Sequence, residues 1–349
     1  MIQNRIARLR QNLDSDISLL VSNLVNVRYL SGFSGSNGLF LVSQDSAVLF
    51  TDPRYEIQTQ KECPEIDVVI SRDLLESALE RLETKKLAIE GSHLTVNNWQ
   101  RLQKKVSNLI VAEPVVELLR TVKDSYEIAK IKAACEIATQ ALANLQDAIQ
   151  IGISERQIAR MLDATMLDLG AQSVAFQTIV ASGPNSSIPH HQPTDRLLEN
   201  GDFLKIDFGA LLDGYHSDCT RTFVAGEPAQ WQKELYECVL ASQQAGVKAL
   251  KAGIDFGSVV DAATAPLQAA GLLDKFIHGL GHGLGLEIHE QPYLSSAIGG
   301  KIEQNTIVTI EPGIYLPDIG GIRIEDTVVV TSLASEVLTK FTYELTSVG

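Results

Sequence analysis

The chain has 349 residues, 45% of them hydrophobic and 21% charged, with 29 Lys and Arg against 43 Asp and Glu, for a net charge of −14. This is an ordinary globular composition, long enough for two domains or one large one. The acidic balance argues against a surface that tracks nucleic-acid phosphates, so no nucleic-acid partner is expected. The opening stretch MIQNRIARLRQNLDSD has no long apolar core behind its basic residues, and no apolar run approaches membrane-spanning length; neither a secretory signal nor a membrane partner is expected. Cys63, Cys135, Cys219 and Cys238 are widely spaced without a CxxC pattern, which reads as reduced thiols in a cytoplasmic protein.

Strand and helix signals alternate in the first third. DISLLVSNL and GLFLVSQDSAVLFTD read as strands, the latter as a pair joined through Gln44-Asp45-Ser46. DVVIS and KLAIEG follow, separated by the helical pattern DLLESALERLET. An α/β domain over residues 1–121 is expected, with a boundary near Thr121 where a charged linker runs into a long helix. Residues 122–349 differ in kind. Helices are expected over Tyr126–Ile149 and Ser154–Leu169, and around Trp231–Lys251 and Gly257–Ala270. Strands are expected in SVAFQTIVAS, DFLKIDFGALL, YHSDCTRTFVAG, NTIVTIEPGIY and GIRIEDTVVVT. That mixture predicts an α+β domain with an antiparallel sheet.

Two hairpins carry carboxylates where strands are otherwise apolar. In FLKIDFGALLDGYHSDCTRTF, Asp213-Gly214 is a hairpin turn signal. A two-residue loop sets Asp207 opposite Thr220, with Asp218 two residues along on the same face; a four-residue loop sets Asp207 opposite Asp218. In TIVTIEPGIYLPDIGGIRIEDTVVV, an odd loop centred on Asp318 brings Glu311 opposite Glu325. Ile310, Ile322 and Ile324 then take the apolar face, and Arg323 joins the glutamates on the polar one. A Gly320-Gly321 loop would break that register. Unpaired buried carboxylates cost several kcal/mol, which bound cations would offset.

The stretch HGLGHGLGLEIHE, from His278 to Glu290, crowds imidazoles among glycines. Oxygen-rich sites with an imidazole suit divalent transition ions, and His282 can supply the imidazole. Its glycine neighbours disfavour a helical HExxH-type pair with His278. On a flat strand His289 would face away from His282, so a bend near Gly283 or Gly285 is expected if both reach one site.

Asp207 and Asp218, followed by GHGLGLEIHE, TIEPGIY and GGIRIED, resemble the pita-bread metallopeptidases: methionine aminopeptidase, prolidase and aminopeptidase P. NVRYLSGFSGSNG and TDPRY resemble the creatinase-type N-terminal domain of the proline-specific members, so the resemblance covers nearly the whole chain. It implies a creatinase-like domain over 1–121 and a pita-bread catalytic domain over 122–349. It also implies five metal ligands: Asp207, Asp218, His282, Glu311 and Glu325. They would hold two divalent ions, Mn²⁺ first, with Co²⁺, Zn²⁺ or Fe²⁺ as alternatives. His190 in SGPNSSIPHH matches a substrate-site histidine, in preference to His191. His289 matches the histidine near the scissile carbonyl, His278 one lining the same pocket, and Arg323 an arginine beside the second glutamate ligand.

What the resemblance implies is an Xaa-Pro aminopeptidase acting on peptides with proline second, in a homodimer. Glu311 would move the proton of the attacking water, and His289 would stabilise the oxyanion. The alternative is prolidase, restricted to Xaa-Pro dipeptides; intact ligands argue against a non-catalytic or metal-free member of the fold. Serine-hydrolase and nucleotide-binding readings fail, because GFSGSNG is not GxSxG and GLGHGLG lacks GxGxxG spacing.

Overall fold

The structure, a computed structural model, describes residues 1–297 and 299–349, and divides into two compact units, Met1–Arg120 and Thr121–Gly349. The first unit holds one six-stranded mixed sheet, in the order 67–70, 47–51, 38–42, 17–21, 86–90, 109–112. The hairpin through Gln44-Asp45-Ser46 supplies its antiparallel centre, while the 86–90 and 109–112 strands run parallel to 17–21. Phe40 and Phe50 are fully buried, and Leu20, Leu41, Phe50 and Ile89 share one core cluster. The strand read through DISLLVSNL stops at Val21. The Asn23 side chain accepts the Val25 N–H and caps a helix, Leu24–Ser31, that the apolar pattern of the segment did not signal. Similarly, the expected linker before the long helix contains a short helix of its own, Val115–Thr121.

The second unit is built from ladders covered by helices, antiparallel except where 347–348 runs parallel to 219–225. The Ser125–Gln146 helix begins at a capping box, in which Asp124 accepts the Glu127 N–H and Glu127 accepts the Asp124 N–H. A second box, Ser154 with Gln157, opens the Glu155–Asp168 helix. Both helices pack on the sheet of strands 179–182, 203–208, 219–225 and 347–348, where Leu142, Ile158 and Leu162 meet Leu204, Ile206 and Phe208. The helices Gln230–Ala249 and Phe256–Ala269 cover the remaining ladders: Val259 packs with Val308, Ile310 and Val328, and Val239 with Ile314, Ile322 and Ile324. The expected α+β architecture with antiparallel pairing is what forms. No helix among the described residues is long and apolar enough to cross a membrane, and all four cysteines are free thiols.

Candidate metal centre

The first carboxylate hairpin closes through Asp213 and Gly214, at φ of 50° and 80°, with Leu212 paired to Tyr215. Both central residues in the left-handed region is the signature of a two-residue turn whose twist matches the flanking strands. Of the two loop lengths considered, the shorter one forms, and Asp207 pairs with Thr220. Between the turn and the main ladder the backbones approach so closely that a Cβ on Gly209 would meet the Ser217 carbonyl at 2.0 Å. Glycine is required there, and Asp207 and Asp218 line the same cavity.

The second hairpin turns at Asp318, φ 62°, and pairs Gly313 with Arg323 and Leu316 with Gly320. This is the odd loop, and the Gly320-Gly321 alternative does not form. The same register resumes beyond a gap, where Ile310 pairs with Asp326. Pro312, which has no N–H to give a ladder, lies in that gap with Glu311, opposite Ile324 and Glu325. Both glutamates are thereby released from regular pairing. The Glu325 N–H donates to the Thr220 carbonyl at 3.1 Å, stitching the two hairpins together at their carboxylates.

His282 arrives on the short strand Gly281–Gly283, pressed between two neighbours. A Cβ on Gly281 would sit 2.0 Å from the Thr309 carbonyl, and one on Gly283 2.3 Å from that of Gln291. The pairing with strand Glu290–Leu294 slips between His282 and Gly283. That irregularity is the expected bend, and it brings the His282 and His289 rings to 4.3 Å, edge to face.

These elements converge on a cavity of about 560 Å³ lined by Asp207, Asp218, His282, Glu311 and Glu325. Donor atoms of Asp218, His282 and Glu325 lie within 4.8 Å of one another. The His282 Nδ1 is 3.0 Å from the Gly283 carbonyl, which can only accept, so Nδ1 carries the proton and Nε2 is bare. That bare nitrogen faces Glu311 Oε1 at 3.4 Å and Asp218 Oδ2 at 3.6 Å. Asp207 Oδ1 is buried without a hydrogen-bond partner among the described residues. Burial, then the neighbouring carboxylates, push Asp218 and Glu325 well above the usual carboxylate range. Burial also pushes Glu311 up to about 7, against the pull of Arg323. Burial holds His282 down to about 4, hence neutral. Acceptors facing acceptors around an orphaned carboxylate oxygen call for cations between them, and the donor set of oxygens with one neutral imidazole fits divalent metal ions.

Several neighbours order these donors. The Arg323 guanidinium donates to Asp207 Oδ2 and, through Nε, to Thr220 Oγ1 at 3.0 Å. The Thr220 hydroxyl in turn donates to Glu325 Oε2 at 2.6 Å. Thr309 Oγ1 accepts the His282 N–H and donates to Glu311 Oε1. Arg323 Nη1 also donates to the Tyr315 hydroxyl, which donates to His278 Nε2, both at 2.8 Å. Burial, reinforced by the Arg323 charge, lowers the His278 pKa to about 4. His190 and His289 line the cavity as well. The doubled histidine divides its work: His190 is exposed toward the cavity, whereas His191 is buried against Glu155. Of the other histidines, His93 contacts Asn23, and His216 contacts the Gly285 carbonyl. Sequence reasoning missed Thr220, Thr309 and Tyr315. Thr220 was the readable one, since the two-residue turn had already set it opposite Asp207.

The sequence model of metallopeptidase family M24 matches residues 129–332, and that of the creatinase/prolidase N-terminal domain matches residues 5–122. The Xaa-Pro dipeptidase of Pyrococcus furiosus is 38% identical over 349 residues, covering 99% of this chain and all of the relative. An Xaa-Pro dipeptidase structure from Bacillus anthracis superposes with a TM-score of 0.96 at 36% identity, covering both chains completely. The X-Pro aminopeptidase structure from Thermotoga maritima gives a TM-score of 0.91 at 34% identity, covering 100% of this chain and 99% of the other.

Proposed function

The chain belongs to metallopeptidase family M24 and carries a creatinase/prolidase N-terminal domain, and on that premise we propose that it is an Xaa-Pro dipeptidase. The observation that carries the catalytic reading is the convergence of Asp207, Asp218, His282, Glu311 and Glu325 on one cavity, with a bare imidazole nitrogen and an orphaned carboxylate oxygen turned inward. The dipeptide reading draws on the relatives in Pyrococcus furiosus and Bacillus anthracis, and it reverses the order in which the sequence placed the two substrate classes.

In this reading the five residues hold two divalent ions, Mn²⁺ first among the candidates. Bound there, such ions lower the pKa of water toward about 7 and polarise a carbonyl. Glu311 takes a proton from water and delivers it to the proline nitrogen as the C–N bond breaks. His289, kept neutral by burial, donates an N–H to the oxygen of the scissile carbonyl. Proline is recognised by ring shape and by the missing amide N–H. The family resemblance further supports a homodimer in the cytoplasm, which light scattering on the purified chain tests for assembly.

One observation favours a second reading, cleavage of longer peptides. Among the described residues lining the cavity, Arg323 is the one Arg or Lys, and its guanidinium is spent on Asp207, Thr220 and Tyr315. No spare cation there meets the C-terminal carboxylate of a dipeptide. The test is kcat/KM of metal-loaded enzyme on Ala-Pro, Ala-Pro-Gly-Gly and Ala-Ala. Turnover of Ala-Pro alone supports the dipeptidase; preference for the tetrapeptide replaces it with the aminopeptidase. Cleavage of Ala-Ala as fast as Ala-Pro refutes both.

A further inference from the structure

His190 reaches the cavity on a segment of irregular backbone. It follows the 3₁₀ turn Gly183–Ser187, and no hydrogen bond from another described residue orients its ring. Its placement therefore depends on how the chain on either side is held. Two buried ionisable side chains do the holding.

Lys205 acts on the N-terminal flank. It lies on the strand Phe203–Phe208 between Leu204 and Ile206, which enter the core, and points to the same face as Asp207. It is 0% exposed. Its Nζ donates to the carbonyls of Ser186 at 3.0 Å, Ile188 at 2.7 Å and Pro189 at 3.4 Å, the last being the residue before His190. The Pro189 carbonyl also accepts from Arg323 Nη1 at 3.4 Å. Burying an amine costs several kcal/mol without such partners, and here they all come from this one segment.

Glu155 acts on both flanks. It opens the Glu155–Asp168 helix and is 0% exposed. Oε1 accepts from the Ser182 N–H at 2.7 Å, the Ser182 hydroxyl at 2.8 Å and Asn185 at 3.0 Å. Oε2 accepts from the His191 ring at 2.9 Å and from the Thr194 N–H and hydroxyl at 2.9 and 2.7 Å. The residue immediately after His190 is thus pinned as well.

We propose that Lys205 and the Glu155–His191 pair are positioning residues that clamp the 182–194 segment from both sides and so present His190 to the substrate. The inference deepens the peptidase reading and rests on it for its kinetic arm. In this scheme Lys205, Glu155 and His191 all act through the His190 ring.

That dependence gives a test which a merely structural role fails. Lys205→Met and His191→Phe are each made in the wild-type and His190→Ala backgrounds, with kcat and KM measured on Ala-Pro. Each single substitution is expected to lower kcat/KM by about 10–100-fold, the usual size of losses behind a functional side chain. In the His190→Ala background the same substitutions should cost less than about threefold, because the residue they serve is gone. Titration with Zn²⁺ should show metal affinity close to wild type in both. A second readout needs no turnover. In Zn²⁺-loaded protein the His190 ring resonance, identified by its loss in His190→Ala, should be single in the wild type and broadened or split in Lys205→Met and His191→Phe. Equal losses of kcat/KM in both backgrounds, or an unaltered His190 resonance in both variants, overturn the clamp. If Lys205→Met does not fold, His191→Phe decides the matter by the same cycle. If the wild type does not cleave Xaa-Pro bonds, the peptidase reading falls, and the ring resonance alone decides the clamp.

Discussion

Replacing Glu155 by glutamine removes one charge from the centre of six hydrogen bonds. Each carboxylate oxygen faces a backbone N–H, that of Ser182 on one side and that of Thr194 on the other. An amide turned either way therefore points its NH₂ at a backbone donor. Burial opposes the Glu155 charge, but hydrogen bonds from Asn185, Thr194, His191 and Ser182 outweigh it and bring the pKa down to about 2 from 4.5. At about 1.4 kcal/mol per unit, the charged form contributes about 3 kcal/mol. The sign follows from the depressed value. The contribution is complete above the unfolded-state pKa and is lost as pH falls from about 4.5 toward 2. Urea unfolding of wild type and Glu155→Gln should differ by about 3 kcal/mol at pH 7, and the gap should narrow by about 1 kcal/mol near pH 4. Titrating groups out of contact with Glu155 are common to the two proteins and cancel from the difference. A gap that stays constant from pH 7 to 4, or one below about 0.5 kcal/mol at pH 7, typical of an ordinary surface site, refutes the reasoning.

The candidate metal centre makes its own demands. Elemental analysis after dialysis against a divalent ion should approach two ions per chain, and a strong chelator should abolish turnover and lower the melting temperature together, since the buried carboxylates then face one another uncompensated. His282→Ala should lose metal affinity and activity, whereas His289→Ala should keep its metal and lose about 10²–10³-fold in kcat; equal metal loss in both variants contradicts the division of roles. Arg323→Lys should lose about 10–100-fold in kcat/KM, because an ammonium cannot serve Asp207, Thr220 and Tyr315 from one planar fork; wild-type kinetics would leave Arg323 without a role in the site.

Much of this centre could be read in the sequence because its determinants are local. Asp213-Gly214 sets a turn, the turn sets a register, and the register decides which face Asp207 shares with Asp218. The odd loop at Asp318 does the same for Glu311 and Glu325, and Gly281 and Gly283 announce backbones too close for a side chain. Each inference spans two to four residues at a time, the range over which alternation and turn chemistry operate. The groups that were not legible act at longer range. Lys205 in FLKIDF follows the polar alternation of its strand, so the pattern marks its face but not its purpose. Its partners lie 16 to 19 residues back, in a segment with no periodicity to interpret. Glu155 reads as a first-turn acid favoured by the helix dipole, which explains its position without disclosing His191, 36 residues away. The helix Leu24–Ser31 escaped for a related reason: its cap, Asn23, sits at the end of an apolar run that alternation assigns to a strand. The candidate ligands are thus specified by rules of the strand and turn, while the groups proposed to orient His190 are specified by contacts that form only once the hairpins have folded onto the helices.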